Sequence, residues 1–316
     1  MEINLFYYLI LLIVLSIAAF VITPVFRSIA RKFKILDHPG GRKIQEEPVA
    51  YLGGIAIIMP ISIGSLLLLF ASPSLEVKQQ LYLGVILPAL AIAFIGLLDD
   101  VYQLPPLPRF ISQSAVGIIT AYMLFLNGVG IKVFGNELIN SLATIAWVVT
   151  IINAINFIDN MDGLATSITI VASFTMFTLA YLSGQYAVAA LSLAITASCL
   201  GFLFWNKRPA SIYLGDAGAL YLGFLLAAVS IRIDLDNESA PIRALVLILI
   251  LAIPVIDTTQ VVISRIAKGK SPFQGGRDHI SHLLLNRGLT QRAVLILITT
   301  FAILFAAIAL LLAEVS

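Results

Sequence analysis

The chain contains few charged residues and almost no cysteine or histidine. Of its 316 residues only 11% are charged and 60% are hydrophobic, whereas a typical soluble chain is about 25% charged. This composition excludes a water-soluble globular domain, because such a fold cannot hide so much apolar surface. The single cysteine, Cys199, excludes an intramolecular disulfide and a cysteine-rich metal site.

Long apolar runs recur over the whole chain instead. We count ten, centred near residues 15, 60, 90, 118, 149, 173, 195, 222, 254 and 303, each close to the roughly 20 residues that a membrane-spanning helix needs. The sequence therefore predicts an all-α polytopic membrane protein with about ten transmembrane helices, forming a single domain over residues 1–316. The first run is too long for a signal-peptide core, so we expect a retained helix.

The basic residues indicate the orientation of the chain in the membrane. With the N-terminus outside and ten helices, fifteen of the nineteen lysines and arginines fall in inside loops, the exceptions being Lys78, Lys132, Arg232 and Arg243. Basic residues are retained on the cytoplasmic side. We therefore expect a multi-pass protein of the plasma (inner) membrane, with the long loops 27–50 and 265–290 in the cytoplasm.

Six aspartates lie at helix ends on the side predicted to be cytoplasmic. They are Asp99, Asp100, Asp159, Asp162, Asp216 and Asp257. A charge at the centre of a membrane helix costs on the order of 2.5 to 3.5 kcal/mol on insertion scales, so acids in apolar segments call for an explanation. A solvated helix end would by itself explain the adjacent pair Asp99 and Asp100. Asp216, in Gly-Asp-Ala-Gly, would also serve as an N-cap.

Oxygen-bearing side chains recur every three residues from position 153. Asn153, Asn156, Asp159 and Asp162 fall on one side of a helix end whose other residues are largely apolar. An amphipathic lining without chemistry is the alternative interpretation. Carboxylate and amide oxygens are hard ligands, and Mg²⁺ is usually held by one or two carboxylates together with substrate phosphates. We therefore predict a Mg²⁺ site, in which Mn²⁺ could substitute, beside a helix N-terminus suited to phosphate oxygens.

The loop 265–290 carries basic residues and two of the three histidines. His279 and His282 stand three residues apart, near a set of cations, Arg265, Lys268, Lys270 and Arg277. A His-x-x-His pair is also half of a zinc site, but no cysteine or third histidine is close in the sequence. We interpret the group as a patch that faces anionic phosphates or lipid head groups. Charges that merely mark the cytoplasmic side are the alternative.

Four separated blocks of the sequence resemble one family. They are residues 96–100 with 109–113, 153–165, 206–218 and 271–288, and residues 36–39, 42–43 and 53–54 add to the likeness. In this order they are similar to the polyprenyl-phosphate N-acetylhexosamine-1-phosphate transferases of glycosyltransferase family 4. The chain looks closer to the branch that uses UDP-N-acetylglucosamine than to the UDP-muramoyl-pentapeptide branch, whose three consecutive histidines it lacks. It departs from the former branch at Arg109, Ser281 and Gln45, where lysine, histidine and histidine are usual.

The resemblance implies a reaction and a set of site residues. An oxygen of undecaprenyl (polyprenyl) phosphate would attack the β-phosphorus of UDP-N-acetylglucosamine, giving polyprenyl-diphosphate-N-acetylglucosamine and UMP, the first step of a cell-envelope polysaccharide such as lipopolysaccharide or teichoic acid. It assigns Asp99 and Asp100 to catalysis and Asn156 and Asp216 to the metal. Substrate binding is assigned to Lys43, Arg109, Asp159, Asp162, Asn206, Arg265, His279 and His282.

Other functions stay open at this point. The donor could be UDP-N-acetylgalactosamine, a bacillosamine-like hexosamine or the UDP-muramoyl-pentapeptide. An ion-coupled transporter would also place acids in membrane helices, although near the midplane and between repeats, and a lipid-phosphate binder would lack turnover. Apart from the donor and undecaprenyl phosphate, we expect contact with the bilayer, a homodimer by family resemblance, and no nucleic acid.

Overall fold

The protein is almost entirely helical. The computed structural model describes residues 5–38, 47–71, 82–126, 128–235, 239–271, 276 and 278–314. A two-stranded pair, β1 (Leu36–Asp37) and β2 (Val49–Ala50), follows the first helix, and a π-helical turn, Tyr82–Ile86, precedes α3. The helices are α1 (Leu5–Lys32), α2 (Gly53–Ala71), α3 (Leu87–Tyr102), α4 (Pro106–Leu126), α5 (Glu137–Ile158), α6 (Leu164–Leu182), α7 (Tyr186–Asn206), α8 (Gly215–Ser230), α9 (Ala240–Ile250), α10 (Ala252–Ala267), α11 (Ile280–Asn286) and α12 (Gln291–Glu314).

Length and composition make this a multi-pass membrane protein. Within the described residues six segments are long and apolar enough to span a bilayer, and they belong to α1, α3, α5, α6, α7 and α12. The bent pair α9 and α10 raises the number to seven if it forms one span, and three apolar helices are shorter, Gly53–Leu66, Phe110–Leu126 and Gly215–Ser230. All ten predicted runs are thus helical. Ten complete spans with the N-terminus outside stay a prediction.

The unbroken hydrophobicity of the ninth apolar run suggested one straight helix. The structure shows two helices instead. Helices α9 and α10 meet at Leu251 with a bend of 79°. Pro254, in the first turn of α10, has no backbone N–H to donate to the carbonyl of residue 250, so α9 cannot continue through it without losing a hydrogen bond. The break turns α10 towards α5 and α12.

Helix α8 forms the centre of the bundle. Fifteen of its sixteen residues are buried, and the exception is Asp216 in its first turn. A helix that is apolar on every side needs neighbours on every side, and α2, α3, α5, α6 and α7 supply them. The most enclosed helix of the fold therefore presents one carboxylate, at its N-terminal end.

Gly96 brings the end of α3 against the start of α8. A Cβ atom at Gly96 would lie 2.5 Å from the carbonyl oxygen of Asp216, a separation that real Cβ atoms do not adopt. Small residues permit this kind of backbone approach between membrane helices. Because Asp99 and Asp100 follow on the same helix, the close packing carries both to the N-terminal end of α8.

The short β pair fixes the segment that precedes α8. Strands β1 and β2 are antiparallel, with Leu36 opposite Ala50. Ala50 also forms a bridge to Ile212, and the backbone N–H of Tyr213 donates to the carbonyl of Ala50 at 2.8 Å. The loop 207–214 is thereby held beside the cytoplasmic loop that was predicted between the first two apolar runs.

Candidate active site

Asp216 is surrounded by groups that fix its place. The Nδ2 of Asn156, at the end of α5, donates to its Oδ1 at 2.7 Å. The backbone N–H groups of Asp216 and Ala217 donate to the two carboxylate oxygens of Asp100, at 2.7 and 3.0 Å. Asp100 thus accepts hydrogen bonds from the free N–H groups of α8, an interaction that also favours a negative charge there. The structure brings together three of the four residues assigned to catalysis or metal.

Gly215 makes this arrangement compatible with the backbone. Its φ of +73° lies in the left-handed region, and a Cβ atom would sit 2.7 Å from Oδ2 of Asp100. Glycine adopts positive φ without steric cost. Any other residue at position 215 would push Asp100 away from the first turn of α8.

A cavity of about 690 Å³ opens in front of Asp216. Five of the sequence-predicted site residues line it: Asp159, Asp162, Asn206, Asp216 and His282. Tyr51 and Tyr213, whose ring centroids are 6.0 Å apart, form another part of its wall. The volume is in the range of ligand-binding clefts, so the cavity is large enough for a nucleotide-sized ligand.

Negative charge accumulates at one end of this cavity. Asp159 lies just beyond α5, and none of the described residues donates a hydrogen bond to its carboxylate. Burial, together with the negative charges of Asp216 and Asp162, raises the pKa of Asp159 to about 8, and burial makes the largest contribution. Three carboxylates that share one wall favour the binding of a cation from solution.

We predict that Asp159 makes the stability of the metal-free protein depend on pH. Its pKa is about 8 in the folded protein against 3.8 for an ordinary aspartate, so the folded state holds the extra proton and the free energy of unfolding falls as pH rises between these values. The Tm of chelator-treated protein, followed by intrinsic fluorescence between pH 5.5 and 8.5, should therefore decrease. The decrease should be smaller in Asp159→Asn; equal slopes in the two proteins would contradict the prediction.

Other predicted site residues are held by the protein itself. Asp99 is buried, and its Oδ1 accepts from the backbone N–H of Leu104 at 2.8 Å. Asn206 receives a hydrogen bond from the hydroxyl of Thr166 at 2.8 Å and donates to the carbonyl of Ile212 at 3.1 Å. Both the oxygen and the nitrogen of the Asn206 amide are thus engaged, which braces the loop before α8. Asp162 likewise accepts from the backbone N–H of Ala210 at 3.1 Å.

Two aspartates, Asp278 and Asp257, hold the basic residues and histidines of the loop 265–290 in place. The sequence did not indicate these contacts. The Nε of Arg265 donates to Asp278 at 3.1 Å, and the Arg265 side chain is almost fully buried. This hydrogen bond from Arg265, followed by that from Lys268, holds the pKa of Asp278 below its usual range. His279 pairs with Asp257, whereas His282 lines the cavity. Arg265 and His279 thus support the cavity from behind its wall.

Two predicted substrate-binding side chains, those of Lys43 and Arg109, lie outside the described part of the structure. Lys43 lies outside the described residues. The backbone of Arg109 belongs to α4, but its side chain also lies outside the described part. Their assignment to substrate binding stays a prediction.

Several cavity residues escaped the sequence reasoning. Arg27 and Arg31, one helical turn apart near the end of α1, line the cavity together with Arg208. The Nε of Arg27 is buried without a hydrogen-bond partner, and among the described residues neither α1 arginine forms an ion pair. Like charges at this spacing destabilise a helix by about 0.2 to 0.5 kcal/mol. In the sequence, Arg27 and Arg31 were explained by the excess of basic residues on the cytoplasmic side. Nothing in the sequence indicated that the end of α1 faces the site.

The donors at the acidic end fit a divalent cation of the Mg²⁺ type. In the described part of the chain no three Asp, Glu, His or Cys side chains converge into a complete metal site. Asp216 and Asp159 nevertheless offer carboxylates in one wall, and the Oδ1 of Asn156 accepts no hydrogen bond from a described residue. A partial set of hard oxygen ligands, completed by phosphate oxygens, is how proteins usually hold Mg²⁺.

A bundle of membrane helices with a carboxylate-lined cavity at the N-terminus of a buried helix defines a multi-pass membrane protein with a polar ligand site. The family model described as glycosyl transferase family 4 matches residues 82–234, which include most of the site. Together with the relatives below, this match shows that the chain belongs to glycosyl transferase family 4. The family suggested by the sequence motifs is confirmed, and with it a transferase.

Curated relatives match over nearly the whole chain. A probable undecaprenyl-phosphate N-acetylglucosaminyl 1-phosphate transferase of Bacillus subtilis is 30% identical over 309 residues, 95% of this chain and 83% of the relative. The undecaprenyl-phosphate alpha-N-acetylglucosaminyl 1-phosphate transferase of Escherichia coli is 30% identical over 93% of this chain and 82% of its own length. The enzyme of that name from Pasteurella multocida is 31% identical over 95% and 85%.

Proposed function

We propose that the protein transfers N-acetylglucosamine 1-phosphate from UDP-N-acetylglucosamine to undecaprenyl phosphate. The products would be undecaprenyl-diphosphate-N-acetylglucosamine and UMP. The names of the full-length relatives support the acceptor and the sugar phosphate. The observation that carries the proposal is the 690 Å³ cavity, into which the N-terminal turn of an otherwise buried helix presents the carboxylate of Asp216.

The reaction needs positioning and charge neutralisation more than covalent assistance. A carrier-phosphate oxygen forms a bond to the β-phosphorus of the donor, and the bond from that phosphorus to the bridging oxygen breaks as UMP leaves with the electron pair. A phosphate monoester has its second pKa near 6, so the attacking oxygen is mostly deprotonated at neutral pH. Asp99 and Asp100 therefore act by placing groups: Asp100 fixes the first turn of α8, and Asp99 fixes the chain that leaves α3.

Asp216, Asn156 and Asp159 would hold Mg²⁺ at the acidic end of the cavity. Bound there, the ion would supply positive charge to offset that of the diphosphate oxygens. The first N–H groups of α8 are occupied by Asp100, but the positive end of the helix dipole favours negative charge at the same place. Arg27, Arg31 and Arg208 line the same cavity and supply positive charge, and guanidinium groups suit phosphate oxygens because they donate two parallel hydrogen bonds.

The carrier lipid requires an apolar path to this site. A separate cavity of about 260 Å³ is almost entirely apolar and lies between α5, α6, α10, α11 and α12, with Ile253, Leu284, Ile298 and Phe301 among its walls. Ser281 lines this apolar cavity and the next residue, His282, lines the polar one. In this proposal the first isoprenoid units of the carrier occupy the apolar cavity. The lipid phosphate then lies beside α11, where the apolar and polar cavities are lined by adjacent residues. The distribution of basic residues supports a site that faces the cytoplasm.

The proposal is tested by measuring UMP release from purified protein in detergent. The assay contains Mg²⁺ and compares UDP-N-acetylglucosamine with UDP-N-acetylgalactosamine and the UDP-muramoyl-pentapeptide, each with and without undecaprenyl phosphate. We expect release from UDP-N-acetylglucosamine only when the lipid is present. Lipid-dependent release from another donor alone would retain the reaction but change the sugar. Folded protein that releases UMP from none of the three would contradict the proposed function.

A further inference from the structure

Asp257 and His279 form a buried pair behind the cavity. Asp257 lies in α10 and is 2% exposed, and His279, which directly precedes α11, is 7% exposed. The Oδ2 of Asp257 lies 2.7 Å from Nδ1 of His279. Its Oδ1 accepts the backbone N–H of Ile280, also at 2.7 Å. Both carboxylate oxygens are thus committed to the beginning of α11.

This contact determines which nitrogen of His279 carries hydrogen. A carboxylate only accepts hydrogen bonds, so Nδ1 donates, and Nε2 is left as the nitrogen that can interact with a further group. The ring is also fixed in orientation, since it packs edge-on against Phe157 and against His282, with centroid separations of 6.2 Å in both cases. One side chain of α10 therefore sets the chemical form and the direction of the imidazole.

The same contact holds the helix that presents His282. Helix α11 has only seven residues, and its N-cap residue, His279, makes no side-chain capping hydrogen bond. A helix of this length is not stable by itself. It is fixed at its start by Asp257 and, one residue further, by the hydroxyl of Ser281, which donates to Oδ1 of Asn160 at 2.6 Å. His282 follows immediately and lines the cavity.

We propose that Asp257 is a positioning residue of the transferase, acting through His279 and the first turn of α11. Asp257 does not line the 690 Å³ cavity, and although it borders the apolar cavity, both of its carboxylate oxygens are engaged by His279 and Ile280. It therefore acts on the reaction through the groups that it orients. The inference rests on the proposed function for its effect on turnover. In metal sites a carboxylate that orients a ligating histidine commonly changes function by about 10- to 100-fold when it is altered, and we expect an effect of the same order for this pair.

The informative substitution is Asp257→Asn. It preserves the shape of the side chain and an oxygen that accepts the N–H of Ile280, but it removes the negative charge and replaces the acceptor at Nδ1 by an amide N–H₂. We expect kcat for UMP release to fall about 10- to 100-fold. Asp234→Asn, the same chemical change at an exposed position that pairs with Arg243, is the matched control and should retain wild-type kcat.

A double-mutant cycle separates positioning from a structural effect. If Asp257 acts through His279, then Asp257→Asn should change kcat by less than about twofold when it is added to His279→Gln. The reason is that His279→Gln has already removed the group through which Asp257 affects kcat. A purely structural role would give losses that multiply. Multiplying losses, or wild-type kcat in Asp257→Asn alone, would overturn the proposal. If Asp257→Asn melts well below the wild type, Asp257→Glu, which retains a displaced carboxylate, takes its place in the cycle.

A spectroscopic measurement tests the contact without relying on turnover. The chain has three histidines, so ¹⁵N-histidine labelling gives three ring systems, and His279→Gln identifies the relevant one. We expect the Nδ1-protonated form of this ring in the wild type and its loss in Asp257→Asn. An unchanged tautomer would overturn the inference. This result is obtained even from protein that releases no UMP, so a failure of the inference is distinguished from a failure of the proposed function.

Discussion

Replacing Asp216 by asparagine is expected to reduce UMP release at least about 10²- to 10³-fold, the loss typical of removing one group that stabilises developing charge. The new amide would keep an oxygen for the Nδ2 of Asn156, and the backbone N–H at this position would still donate to Asp100, so the packing around α8 should survive. The substitution removes the negative charge at the cavity and replaces one carboxylate oxygen by an amide N–H₂. Steady-state kinetics in detergent, with the Tm as a check on folding, provides the measurement.

Two comparisons make the Asp216 result specific. Asp234→Asn changes the same chemical group at an exposed position near the opposite end of α8 and should retain full turnover. Asp100→Asn should also abolish turnover, but for another reason, because its new amide N–H₂ would face the backbone N–H of Asp216 or Ala217. Near-normal turnover in both Asp216→Asn and Asp100→Asn would show that this cavity is not the active site.

Removal of divalent cations is expected to abolish turnover altogether. The acidic end of the cavity collects the carboxylates of Asp159, Asp162 and Asp216, so a diphosphate would meet repulsion there unless a metal ion is bound. Treatment with excess chelator should lower UMP release to the rate without enzyme. Adding Mg²⁺ in excess of the chelator should restore it, and Mn²⁺ should substitute.

Substitution of a proposed metal ligand tests the metal prediction more directly. If Asp216 and Asn156 are ligands, Asn156→Ala should raise the Mg²⁺ concentration needed for half-maximal rate, whereas Asp234→Asn should leave it unchanged. The measurement is a titration of Mg²⁺ at saturating substrates. Full turnover in the presence of excess chelator would remove the metal from the mechanism.

The sequence already determined the class of fold and the family. Hydrophobicity is a property of local composition, so ten apolar runs appeared as helices without knowledge of their packing. The spacing of Asn153, Asn156, Asp159 and Asp162 placed oxygen-bearing side chains near the end of α5, which ends at Ile158. The order of the motifs indicated a transferase of family 4, which the comparisons confirm. The roles assigned to single residues stay predictions.

Only the tertiary structure decided which side chains face the cavity and which support it. Asp100 meets the start of α8 across 116 positions of sequence, and Asp257 meets His279 across 22. Arg27 and Arg31 looked like ordinary positive-inside residues but line the cavity with Asp216. The physical reason is that hydrophobic pattern and residue spacing fix a helix and its faces, whereas contacts between helices depend on close approaches such as that at Gly96, which no local pattern encodes.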